Sequence, residues 1–181
     1  MRLYSSLGFL AFLGACASLS QEQCQNGDWN GIGYSDGVNG RLETYISRHF
    51  DACSKVGIVP DVAAWKAGRE QGLPLYCTPK NAYNIGRDGR NINPVCPASQ
   101  ASALFQSWDW GREYYLIGEE IALLESEQRG IEQRILLEFS HPPLTQEQIL
   151  ILSGLNRELR RIDREIYRLE NRQRRYAAAP V

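Results

Sequence analysis

The sequence predicts a mostly α-helical protein in two parts, a disulfide-stapled domain of short helices followed by a C-terminal antiparallel helical hairpin of the coiled-coil kind. Three observations carry that expectation. Period-two alternation with β-branched residues is nearly absent, so strand signals are poor. Four cysteines, Cys24, Cys53, Cys77 and Cys96, are spread through a glycine- and aromatic-rich stretch whose apolar core looks thin. Two seams of apolar residues at heptad spacing fill the last third, with a helix breaker between them.

The chain opens with Arg2, the apolar run Leu7-Gly8-Phe9-Leu10-Ala11-Phe12, and Leu13-Gly14-Ala15-Cys16. One positive charge, a short apolar run and small residues before a cut site make a secretory leader. The run is about half the ~20 residues that span a bilayer. Leucine, two small residues and cysteine form a lipobox, in which the cysteine sulfur is acylated and the leader removed. Cys16 is therefore the expected lipid attachment residue, and Ala17 after it favours the outer membrane, facing the periplasm. Residues 16–27 read as a polar tether, 28–106 as the stapled domain, 107–176 as the hairpin and 177–181 as a disordered tail.

Within the stapled domain, Trp29 to Asn39 and Leu42 to Lys55 read as short helices separated by Gly40. Asp61 is placed to cap a helix from Val62 to about Leu73, and Pro79 to Arg87 reads as another turn or two. The segment Pro97 to Ser102 fits either a linker or the first turn of the next helix. From there Ile117, Ile121, Leu124, Gln128, Ile131 and Ile135 form one seam, and Leu152, Leu155, Leu159, Ile162, Ile166 and Leu169 the other. Ser140-His141-Pro142-Pro143 must break the helix between them. Thr145 to Gln148 supplies a capping box for the second arm. Arg112 to Glu138 holds seven glutamates against three arginines, and Arg157 to Arg175 eight arginines against four acids. Antiparallel pairing neutralises the two arms.

Four cysteines in an exported chain read as two disulfides with three possible connectivities. An antiparallel hairpin across Val56 to Pro60 would set Cys53 and Cys77 some 20 Å apart, too far for a bridge. The reading leans to Cys24–Cys53 with Cys77–Cys96. Zinc is disfavoured, because there is no Cys-x-x-Cys pair and the only histidines are His49 and His141. No metal or cofactor is expected.

One motif recurs, an aromatic residue, two others, glycine and arginine: Trp65 to Arg69, Tyr83 to Arg87 and Trp108 to Arg112. Glycines also stand four apart at Gly33/Gly37 and Gly68/Gly72, on one face of a helix. Each costs about 1 kcal/mol there against alanine, so close approach of a helix or a ring must offset it. A functional reading clusters Arg69, Arg87 and Arg112 around an anionic ligand, with Trp65, Tyr83 and Trp108 as a stacking floor. The favoured reading makes the rings core, the glycines contact points and the arginines ring-stacked or helix-capping.

The run Asp28-Trp29-x-x-Ile32-Gly33-Tyr34-x-Asp36-Gly37-x-x-Gly40, with Cys53, Gly57, Pro60-Asp61, Gly68-Arg69, Gly72-Leu73, Tyr76-Cys77, Asn81-Ala82-Tyr83, Gly86-Arg87, Gly89 and Cys96-Pro97, resembles a known domain. It is the domain of unknown function of proteobacterial envelope lipoproteins of the YfiL-like kind, matched over roughly Asp28 to Tyr115. Trp65 stands where tyrosine would be expected. The resemblance implies an exported, lipidated protein and brings no activity or site residues with it.

The net charge of -1 leaves no electrostatic footprint for nucleic acid. The arginine-rich second arm is interrupted by acids and reads as a salt-bridged helix face. No nucleophile elbow, metalloprotease helix or phosphate loop appears. Asp36, Asp61 and Glu70 are weighed as acids and His49 as a base, but His49 reads as a surface or capping residue and no enzyme is expected. The expected function is that of a structural or interaction protein, held to the membrane by its N-terminal lipid and recruiting a protein partner through the hairpin. The alternative is a binding module for an anionic envelope ligand, a glycan or a lipid headgroup.

Overall fold

A computed structural model describes residues 18–179. Among them there are helices and turns but no strand. The chain forms two compact units, one ending at Gly72 and the other beginning at Leu73.

In the first unit, α1 (Gln21–Asn26) starts on a capping box between Ser20 and Gln23 and stops at Gly27, which adopts the left-handed conformation. α2 (Trp29–Val38) is capped by Asp28, whose carboxylate accepts from the Gly31 amide. α3 (Ile46–Cys53) is extended at both ends by 3-10 turns, Glu43–Tyr45 and Ser54–Val56, so the expected helix Leu42 to Lys55 is present in three pieces. α4 (Val62–Tyr76) is capped by Asp61 through the Ala64 amide and continues through Pro74. Leu19, Cys24, Trp29, Cys53 and Trp65 make the core, with Ile32, Ile46 and Ile58 packed on it. The Cys24–Cys53 disulfide ties α1 to α3.

This corrects the polar tether. Leu19 and Cys24 are buried and α1 packs on α3, so residues 18–27 are part of the first unit. The run looked polar because its two anchoring side chains are isolated among Ser, Gln, Glu and Asn.

In the second unit, α5 (Pro79–Arg87) begins with Thr78 as cap and Pro79 in its first turn. The Cys77–Cys96 disulfide closes the loop that follows α5, over a core of Tyr76, Ala82, Ile85 and Leu104. Both bridges are thus those the sequence favoured. α6 (Ala101–Phe139) is continuous for 39 residues, about 58 Å at 1.5 Å per residue. Pro97 to Ser102 is the lead-in to that helix, through a 3-10 turn Ala98–Gln100. α7 (Gln146–Gln173) starts on the expected capping box, Thr145 with Gln148.

α6 and α7 run antiparallel, as three contacts fix: Arg172 to Glu113 at 3.0 Å, Gln173 to the Tyr114 carbonyl at 3.0 Å and Gln128 to Asp163 at 3.2 Å. The compositional break at Ser107 lies inside α6, so the division expected at residues 106/107 is not the division between compact units. The first turns of α6 pack on α5 and the rest pairs with α7. The tail is corrected in part as well. The Tyr176 carbonyl accepts from the Tyr83 hydroxyl at 2.7 Å, and Ala178 from the Trp110 indole at 3.0 Å. Cys16, its leader and the last two residues lie outside the described residues.

Candidate functional site

The glycines explain the recurrent motif. A side chain on Gly33 would collide with the Trp65 carbonyl, and one on Gly68 with the Asn30 carbonyl. In the second unit a side chain on Gly86 would strike the Trp108 carbonyl, and one on Gly111 the Tyr83 carbonyl. The two crossings, α2 with α4 and α5 with α6, follow one rule. Each glycine lies on the carbonyl of the residue three positions before the opposing glycine, at a separation only bare backbone permits. Gly72 extends the first crossing by one turn onto Tyr34. The offset required for helical glycine is therefore helix-on-helix contact.

The arginines that follow Gly68, Gly86 and Gly111 have local work. Arg69 is buried, and its Nε donates at 2.7 Å to the Arg41 carbonyl, in the turn that ends α2 at left-handed Gly40. Arg112 Nη1 reaches the Gly89 carbonyl at 3.4 Å, and the Trp108 indole donates to the Arg90 carbonyl at 2.8 Å, in the turn that ends α5. Cations and donors here face the negative, carbonyl-bearing end of a helix. Arg87 lies 4.3 Å over the Tyr114 ring. A side-chain hydrogen bond that Arg87 donates to the Tyr114 oxygen is the main reason its pKa is raised above the ordinary guanidinium value. Arg69 and Arg112 also lie over Trp65 and Trp108. Of the six residues weighed for anion binding, Trp65 and Arg69 belong to the first unit and Tyr83, Arg87, Trp108 and Arg112 to the second. Each arginine is engaged within its own unit.

The sequence missed a buried polar group in the first unit. Asp36 Oδ2 accepts from the Trp65 indole at 2.8 Å and lies 2.7 Å from His49 Nε2. His49, expected at the surface, is 1% exposed. Its Nδ1 lies 2.9 Å from Ser18 Oγ, and that hydroxyl spends its one hydrogen on the Arg48 carbonyl at 2.7 Å. Nε2 faces a carboxylate oxygen and Nδ1 the hydroxyl, so both ring nitrogens have a polar partner. The Ser-His-Asp line invites comparison with a hydrolase triad, but here the serine hydrogen is directed at a backbone carbonyl and not at the ring. These directions describe a lock that pins Ser18 and α3 to α2. The signal was available: Trp29, Gly33, Asp36 and Gly37 share one helix face, so Asp36 had to go inside with the glycines. Asp36 and Gly37 accordingly lie on the buried face of the last turn of α2.

Beside this lock lies a cavity of about 210 Å³, bordered by Ser35, Asn39, Arg41 and Tyr45. It is smaller than the usual 300–1,000 Å³ of ligand pockets. Among the described residues no buried side-chain nitrogen or oxygen lacks a partner, and no group of three His, Cys, Asp or Glu could hold a metal.

The hairpin differs. Ile117, Ile162 and Leu169 are buried in its seam, while the other seam residues are half-buried. Leu123 is 72% exposed and Leu137 79%. Arg161 bridges Glu158 at 2.6 Å and reaches Glu127 on α6 at 3.9 Å; the first contact holds the Glu158 carboxyl below its ordinary pKa. Arg161 therefore pairs with Glu158 and Glu127, and Arg168 takes Glu165. No helix among the described residues is long and apolar enough to cross a membrane.

The fold defines an all-helical protein with two glycine-built crossings, one disulfide in each unit, and a helical hairpin. Residues 28–113 match the family model described as a protein of unknown function, DUF2799. The match takes in both crossings and stops at the base of the hairpin, covering just under half of the chain. No curated protein and no solved structure matches the chain.

Proposed function

We propose that this is a lipid-anchored envelope protein that works as a structural or protein-interaction module through its hairpin, and not as a catalyst. Cys16 carries the acyl chains and the protein faces the periplasm from the outer membrane, as the lipobox, Ala17 and the resemblance to YfiL-like lipoproteins favour. The observation that carries the interaction reading is the outer surface of the hairpin. α6 and α7 together hold a series of large apolar side chains in water, Leu123 and Leu137 above all, with Leu116, Leu136, Leu150 and Tyr167. Such residues grouped on one element mark a surface that another molecule covers.

Anchoring at Cys16 has a geometric consequence. Ser18 and Leu19 are fixed in the first unit, and two residues reach at most about 7 Å. The first unit would therefore sit against the bilayer rather than trail from it. Cys16→Ser is expected to move the protein from membrane to soluble fractions without changing its melting curve; retention after a high-salt wash would mean another anchor. The interaction reading is tested by placing a photo-crosslinking residue at Leu123 or Leu137 in cells. Defined adducts are expected there but not at Lys66, which lies on the first unit. Adducts at none of the three positions would sink it.

A further inference from the structure

We infer that the outer face of α6 binds a second copy of the same hairpin, antiparallel and across a two-fold axis near residues 126 and 127. This rests on the hairpin being an interaction module and names its partner. α6 carries two apolar lines. The first is the seam against α7. The second is Leu116, Leu123, Gly130 and Leu137, each seven residues after the last. It lies roughly 130° around the helix from the seam at 3.6 residues per turn. Its leucines are 44%, 72% and 79% exposed, and nothing of its own chain lies within 4 Å of where a Gly130 side chain would begin. A two-helix hairpin needs one apolar seam only; a second line on the same helix is what contact with another helix requires.

The second line is complementary to itself. Turned end for end about a point between residues 126 and 127, Leu123 falls opposite the bare backbone of Gly130, and Leu116 opposite Leu137. Both matches occur twice, as a two-fold contact demands. The row beside the line agrees in charge, since the same turn brings Glu120 to within one residue, about 1.5 Å along the axis, of the level of Arg134. Glu127 meets its own copy near the axis, a repulsion that Arg161, 3.9 Å from it on α7, offsets.

The test is sedimentation of the full mature chain carrying Cys16→Ser, oxidised and without detergent. A dimer is expected at micromolar concentration. Leu123→Glu with Leu137→Glu should give a monomer with unchanged helicity and melting, because both side chains already face water. Glu120→Arg should weaken the dimer at least about tenfold by setting like charges together, and adding Arg134→Glu should restore it. A wild-type monomer at these concentrations, or a dimer indifferent to both leucine changes, would overturn the proposal. So would a dimer weakened by Glu120→Arg that the second change does not rescue. In-cell adducts from Leu123 to a different protein, with a monomer in solution, would discard the self-pairing and keep the interaction reading.

Discussion

α6 makes two contacts of opposite kind along its length. Near its start it crosses α5 through Gly86 and Gly111, backbone against backbone, with carbonyls standing where side chains would be. Farther on it pairs with α7 along a seam of buried and half-buried leucines and isoleucines, the separation of an ordinary helix pair being 8–10 Å. The crossing is specified by what is missing and the seam by what is present. Bare backbone has no rotamer with which to adjust, so a crossing accepts almost no change. The donors that Arg112 and Trp108 send to the turn after α5 help to offset the helix-propensity cost of glycine. A seam can repack, and its tolerance should be greater at its half-buried positions than at its buried ones.

The sharpest way to break this comparison is Gly111→Val. Its first side-chain atom would fall on the Tyr83 carbonyl and on the Arg87 amide, neither of which can swing aside. Overpacking of this kind costs about 3 kcal/mol or more. Chemical denaturation followed by circular dichroism should show loss of the second unit's transition or a shift of that size. A change under about 1 kcal/mol would mean that the helices separate freely and that the glycine rule is wrong.

Next in size is Ile162→Ala, in the seam. Ile162 is fully buried, and truncation of such a residue costs about 2–5 kcal/mol. Ile131→Ala, at a half-buried seam position, should cost less than half as much. Equal losses at both sites would show that the hairpin is uniformly closed along its length, which is what a partner on the distal part would produce.

How much of this could be read from the chain alone follows the same division. The seams, the turn and the Thr145 capping box are local patterns of period and chemistry, and they were legible to within a residue or two. The helices of the first half were legible from Asp28, Gly40, Asp61 and Pro79, each a start or stop signal with its own mechanism. The pairing of glycines was half legible: spacing placed Gly68 and Gly72 on one face, but which helix would meet them depends on the fold. The lock at Asp36, His49 and Trp65 joins three separate helices, so no window of sequence contains it. The boundary near Ser107 misled for a different reason. Glycine becomes sparse there because α6 passes from crossing to seam, and composition registers that change of contact although the helix does not stop.

The smallest effect is also the cleanest control. Gly154 lies in α7, and a side chain there would meet only the far end of Arg157, at 3.8 Å, an ordinary contact with a flexible group. Nothing in the structure uses its bareness. Gly154→Ala should therefore recover the intrinsic helix preference, a gain of about 1 kcal/mol, in the same unit where Gly111 tolerates no addition. Gly111→Ala would add the same carbon against the Tyr83 carbonyl, so opposite signs for Gly154→Ala and Gly111→Ala in denaturation would establish that the crossings, and not glycine content as such, govern stability. A loss at Gly154 comparable to that at Gly111 would mean that α7 is also approached by backbone at that point, and the seam would have to be redrawn.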